Sequence, residues 1–130
     1  IENNDCVGAL RKIGMRKLKL YVHAYQSLLW NKLAKESSKE VLPILGFLTD
    51  GDDYEDIMKE EGVSKLDFIV RSIPEIGSEG GERSRVVEVG DAKTLSFEED
   101  ELNKGKMKQV VSFFLPKGAY ATVVLDSLSD

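Results

Sequence analysis

Between residues 16 and 36 the apolar positions recur at three- and four-residue steps. Leu18, Val22, Tyr25, Leu29 and Leu33 therefore share one face, and the spacing predicts a long helix that weakens at Ser37 and Ser38. The other side carries His23, Gln26, Ser27, Trp30 and Asn31, with His23, Gln26 and Trp30 again three or four apart. That side is too rich in amide and ring groups for a plainly solvated face. It either packs against a second layer or touches a ligand. Packing is the reading taken, because amide and indole groups commonly find partners inside cores.

The rest of the chain breaks into shorter pieces. Residues 41–51, with Pro43, Gly46 and Gly51, read as a loop. A short helix over about 53–61 begins with acids, which suits the positive end of a helix dipole, and Gly62 is placed to cap it. Residues 66–70 read as a short strand or extended segment, 74–84 as loop, and 84–89 as a strand followed by a turn at Gly90 and Asp91. A strand over 93–97, a charged loop over 98–106 and a strand over 107–115, rich in Val and Phe, follow. Pro116 cannot donate to a sheet ladder, so this strand stops there. Gly118 can take a positive φ, and the Pro–x–Gly turn delivers Tyr120 to the start of a new element. That element is open between strand, from β-branched Thr122, Val123 and Val124, and helix, from the spacing of Tyr120, Val124 and Leu128. The fold class is α/β in the mixed α+β sense: one long helix packed with short strands in a mixed sheet.

Composition narrows the picture. The 130 residues, 42% of them hydrophobic, can build one domain with a core. No apolar run approaches the roughly 20 residues that a membrane span needs, and no signal peptide is evident. One cysteine, Cys6, excludes an internal disulfide and favours a reducing cytoplasm. The chain begins with Ile1 rather than Met, so it reads as a piece of a longer protein or a processed product. A net charge of −5 is unlike that of a dedicated nucleic-acid binder. The cations are uneven, however: Arg11, Lys12, Arg16, Lys17 and Lys19 fall within 11–19 with no acid among them. A local basic face stands beside the plainer reading of a solvated helix start.

Conventional catalytic constellations are scarce. One His and one Cys, far apart in sequence, give no nucleophile with its base, and they cannot assemble a zinc site without several carboxylates. No metal or cofactor is expected. The glycine-rich 77–81 lacks the GxxxxGK[ST] pattern of a phosphate loop and reads as a surface loop. The adjacent acids Asp52, Asp53 and Glu98, Glu99 read as solvated charge.

Two segments carry a resemblance. Residues 21–31, YVHAYQSLLWN, resemble the h-A-Y-Q-S-x-L-F-N helix of the TruD family of tRNA pseudouridine synthases. Residues 115–125, LPKGAYATVVL, resemble that family's C-terminal L-P-x-G-S-[YF]-A-T-V-V-L-R-E. Between them, Gly81, Glu82 and Arg83 with the strand that follows also look like the archaeal and eukaryotic branch. The resemblance implies a fragment of a larger pseudouridine synthase, its C-terminal part, with residues 1–90 in the family's inserted domain and 91–130 returning to the catalytic domain. The family isomerises uridine to pseudouridine in RNA through an aspartate in a G-x-K-D segment. No such segment occurs here, so no catalytic residue is expected in this chain, and Asp52 and Asp53 are not promoted.

Tyr120 matches the family's active-site aromatic, and Gly118 and Lys117 fall beside it as implied substrate-binding positions. On its residues alone Tyr120 reads as a core tyrosine with a bonded hydroxyl; the resemblance favours a wall for a flipped base. Lys117 is within the turn where it could reach a phosphate or simply be solvated. The implied partners are RNA, in particular tRNA, and the N-terminal catalytic half of the same protein, in the cytoplasm and away from membranes. Two departures stand out: Ala119 replaces the usual serine, and Asp126 and Ser127 replace the usual Arg-Glu. With the missing aspartate they leave open a non-catalytic RNA-binding or interaction module derived from the family.

Overall fold

The computed structural model describes residues 5–50 and 52–128. The chain divides into two compact units, Ile1–Arg85 and Val86–Asp130.

In the first unit, α1 (Cys6–Ile13) leads into α2 (Met15–Glu36). α1 lies ahead of the helix expected over 16–36 and has too few residues for its period to show. Its signal is Asp5, whose side chain accepts from the Gly8 amide at 2.7 Å as an N-cap. The predicted long helix is α2, and its stripe points inward: Leu18, Leu29 and Leu33 are buried, while Val22 and Tyr25 are half-buried. The amide and indole side is also partly covered. Gln26 Nε2 donates to the Leu45 carbonyl at 2.7 Å and to Ser78 Oγ at 2.8 Å. Trp30 Nε1 donates to the Leu42 carbonyl at 3.5 Å, and the Arg83 guanidinium lies over the indole, 5.2 Å from its centroid. His23 and Asn31 are exposed, so packing on this side falls to Gln26 and Trp30, with Ser27 half-buried.

Around α2 stand a strand pair and a set of short helices. β1 (Val41–Ile44) and β2 (Gly81–Ser84) pair antiparallel, Val41 opposite Ser84 and Ile44 opposite Gly81. This corrects two expectations: 41–51 is not all loop, and the strand expected over 84–89 lies earlier, within the span read as loop. Pro43 misled the first, since a two-stranded ladder leaves each strand a free edge where a missing N–H is tolerated. A 3-10 turn (Asp52–Tyr54) opens α3 (Glu55–Glu61), which Gly62 closes at φ 66°. Tyr54 is fully buried; its hydroxyl donates to the Pro43 carbonyl at 2.7 Å, and burial pushes the phenol up to about 12. Where 66–70 is expected as a short strand or extended segment, Lys65–Ile69 form a 3-10 helix. The cause is a cap that periodicity does not reveal: the Ser64 amide and hydroxyl donate to Asp67 Oδ2 at 2.7 and 3.0 Å, and the Asp67 amide donates back to the Ser64 carbonyl at 3.1 Å. A further 3-10 turn spans Pro74–Ile76.

The glycine-rich 77–81 segment is tied down rather than loose. The Phe47 and Leu48 amides donate to the carbonyls of Ser78 and Glu79, and the Ser78 amide donates to the Phe68 carbonyl. The close approach requires glycines. A Cβ on Gly46 would stand 2.2 Å from the Gly80 nitrogen, and Gly80 itself has φ 98°. Gly46→Ala is therefore expected to destabilise the first unit by about 1–3 kcal/mol, the usual scale of overpacking. Urea denaturation measures it, and an unchanged midpoint would show that the crossing is not this tight.

In the second unit, β3 (Gly90–Glu99) and β4 (Met107–Phe114) pair antiparallel, Gly90 opposite Phe114 and Glu99 opposite Met107. The 93–97 strand is thus longer than expected. The turn expected at Gly90 and Asp91 is an irregularity in the ladder, with Asp91 at φ 49°. The charged loop between the strands is organised by Asp100, whose Oδ1 accepts from the Leu102 amide at 2.8 Å and the Asn103 amide at 3.2 Å. The last element resolves to helix, α4 (Ala121–Ser127). The mixed α+β class holds, but the strands form two separate antiparallel pairs rather than one mixed sheet.

Candidate nucleotide-facing turn

β4 ends at Phe114, two residues before the proline that cannot extend a ladder. The chain then turns back sharply, and the Ala119 amide donates to the Pro116 carbonyl at 3.2 Å. Gly118 stands at φ 94°, and nothing lies within 4 Å of where its Cβ would be. Its requirement is one of backbone conformation rather than of space.

The turn ends at Tyr120, which has extended φ and ψ and serves as the N-cap residue of α4; its carbonyl accepts from the Val123 amide at 3.2 Å. Tyr120 is 57% exposed, so it is not a core tyrosine. Lys117 is exposed at the tip of the same turn. Lys117, Gly118 and Tyr120 thus belong to one turn, with Pro116 and Gly118 fixing its course. The ring can offer an apolar face, and the ammonium of Lys117 can offer charge to a phosphate.

The remaining chemistry-bearing residues do not converge. Cys6 and His23 are both exposed. Asp53 Oδ1 pairs with Lys39 Nζ at 2.6 Å, and Asp52 is exposed in the 3-10 turn. Lys108 lies between Glu98, at 3.5 Å, and Glu101; its hydrogen bond holds the Glu101 carboxyl below the usual range. Among the described residues, no group of three or more His, Cys, Asp or Glu side chains is arranged to hold a metal ion.

Comparison with known proteins bears on the same region. The family model for tRNA pseudouridine synthase D (TruD) matches residues 46–128, which is more than half of the chain. A Methanopyrus kandleri protein described as "Probable tRNA pseudouridine synthase D" is 28% identical over 96% of this chain. A Methanosarcina mazei protein of the same description is 42% identical over 64% of it. A crystal structure from Methanosarcina mazei described as "Putative tRNA pseudouridine synthase D (TruD)" is 41% identical and covers 65% of this chain and 20% of that one, with a TM-score of 0.49. The chain spans 36% of the length of the Methanopyrus protein and 20% of the Methanosarcina one. With the β3–β4 hairpin, the turn and α4 all inside the matched span, this chain belongs to the TruD family of tRNA pseudouridine synthases.

Proposed function

We propose that this chain acts as the C-terminal part of a TruD-like enzyme that isomerises uridine to pseudouridine in tRNA. The reaction breaks the bond from C1′ to N1 of the base, turns the base, and forms a bond from C1′ to C5. The C5 hydrogen then leaves as a proton. In this reading the catalytic aspartate comes from the N-terminal half of the same protein, and this chain supplies a wall of the nucleotide site. Tyr120 gives the flipped base a ring to stack on, Gly118 holds the turn that aims it, and Lys117 offers a cation to a neighbouring phosphate. Residues 1–90 belong to the inserted domain, and 91–130 return to the catalytic domain.

The observation that carries this reading is the exposed Tyr120 on its Pro–x–Gly turn, inside the family-matched segment. A second observation supports the role of the upstream half. None of the described residues over 86–128 is buried, and Phe97, Phe114 and Val123 are each about two-thirds exposed. An isolated two-stranded hairpin is marginal in water. A larger body that covers these side chains accounts for their number. No helix among the described residues is long and apolar enough to cross a membrane, and a tRNA substrate fits action in the cytoplasm.

The test is tritium release from tRNA labelled at C5 of uridine. The full-length protein is expected to release it, and the 130-residue chain alone is expected to release none, because positioning cannot replace a missing nucleophile. Silence from the full-length protein overturns the function and favours the non-catalytic module. Turnover by the chain alone returns attention to Asp52 and Asp53.

A further inference from the structure

Residues 6–35 hold no Asp or Glu, in a chain with 23 acids, yet they hold seven Lys and Arg. The placement of these cations is as telling as their number. Arg16 and Lys17 fall in the first turn of α2, with Lys19 just beyond, and that turn has no acidic residue. A helix N-terminus carries partial positive charge, so cations there cost stability. α3 follows the favourable rule, with Glu55 and Asp56 in its first turn. Folding alone gives no reason for the arrangement in α2.

Nor are Arg16, Lys17 and Lys19 neutralised by the described residues, whereas Arg11, at the end of α1, pairs with Glu75 at 3.4 Å. Lys32, Lys39, Lys59 and Lys108 each lie within 4 Å of at least one carboxylate. Among the described residues, no carboxylate comes within 4 Å of Arg16, Lys17 or Lys19. Arg16, Lys19, Leu20 and His23 stand at i, i+3, i+4 and i+7, hence on one face, and the span is about 10 Å along the axis. With Lys17 they line an open groove of about 490 Å³. Its floor is aliphatic stem and Leu20, and its rim is cationic.

We infer that this face of α2 is an RNA-docking surface that holds the phosphate backbone of the substrate. It rests on the function proposed above, and it lies outside residues 46–128, the span that the family model matches. Unpaired cations around a shallow apolar floor suit a polyanion whose phosphates take the charges while sugars rest on the stems. Contacts of this kind position RNA without reading its sequence. The face therefore adds affinity and register, and the choice of uridine stays at the turn that carries Tyr120.

The experiment uses full-length protein with Arg16→Gln, Lys17→Gln and Lys19→Gln combined, checked for unchanged secondary structure and a melting temperature no lower than that of the unsubstituted protein. Binding to tRNA is followed by fluorescence anisotropy across salt concentrations. The Kd is expected to rise about tenfold at 0.1 M salt, and the log–log salt slope to flatten by about 2–3, close to one per lost phosphate contact. The charge-keeping variant Arg16→Lys, Lys17→Arg, Lys19→Arg should retain the slope. The charge-matched control Lys93→Gln, Lys104→Gln, Lys106→Gln should retain it too, which separates a local surface from net charge. An unchanged Kd and slope in the neutralised variant overturns the inference and leaves the face to an acidic protein surface. Failure of the proposed function reads differently: the unsubstituted protein then releases no tritium, whatever the slopes show.

Discussion

Replacing Leu29 by alanine is expected to destabilise the first unit by about 2–5 kcal/mol, the range for truncating a fully buried leucine that leaves a cavity. Leu29 has no exposed surface. It sits in the cluster that joins α2 to β1, α3 and the Lys65–Ile69 turn through Leu42, Tyr54, Ile57 and Phe68. Those neighbours come from separate segments that are fixed by their own hydrogen bonds, such as Tyr54 to Pro43 and Gln26 to Leu45, so collapse into the cavity is limited. The adjacent Leu28 is half exposed and provides the contrast. Leu28→Ala should stay within about half a kcal/mol, as surface substitutions usually do. Urea denaturation of both variants, with m-values compared, decides the matter. A loss below about half a kcal/mol for Leu29→Ala would mean that α2 is not docked through this stripe.

The contrast between Leu28 and Leu29 also explains what could be read from the sequence. A 22-residue helix repeats its pattern often enough for five positions to define a face, so α2 and its inward side were legible from spacing. So were the strand of Val and Phe that ends before Pro116 and the turn at Gly118, because those residue types leave few conformations. Short elements were not. Residues Lys65–Ile69 carry too few apolar positions for a period to show, and the deciding feature is the reciprocal bond of Ser64 and Asp67. Val41–Ile44 was hidden by Pro43, whose cost depends on whether a strand has a free edge, which is a property of its partner. α4 carries β-branched residues that favour strands, but it follows a turn with no ladder beside it, and its helical spacing prevailed.

The functional features divide in the same way. Tyr120 stands where local turn chemistry puts it, so its position was legible, and the sequence resemblance suggested a role for it. The basic run 11–19 was visible as charge, but its meaning depended on structure. Only the helix register of α2 shows which cations share a groove, and only the pattern of ion pairs shows that Arg16, Lys17 and Lys19 have no carboxylate partner among the described residues. Gln26 and Trp30 suited a ligand or a second layer, and packing was the reading that amide and indole chemistry favoured. Their bonds to the Leu45 and Leu42 carbonyls use their donors inside the fold and give them to structure.

In the full-length protein, Tyr120→Ala is expected to lower the single-turnover rate of uridine isomerisation about 10- to 100-fold, and Tyr120→Phe to be mild. The magnitude follows from base–aromatic stacking, which is worth roughly 1–3 kcal/mol per base. A base that must leave its helix and turn over a reacting sugar gains most from a rigid apolar wall while it is unstacked, so the loss should appear in the rate at saturating tRNA. The mildness of phenylalanine follows from the same argument, because it keeps the ring and drops only the hydroxyl. Tyr120 is more than half exposed, so neither change truncates a buried ring. The measurement is single-turnover kinetics on variants matched for melting temperature. Equal damage from alanine and phenylalanine would move the role from the ring to the hydroxyl. An unchanged rate for Tyr120→Ala would remove the residue from the nucleotide site, and Gly118 and Lys117 would lose their proposed roles with it.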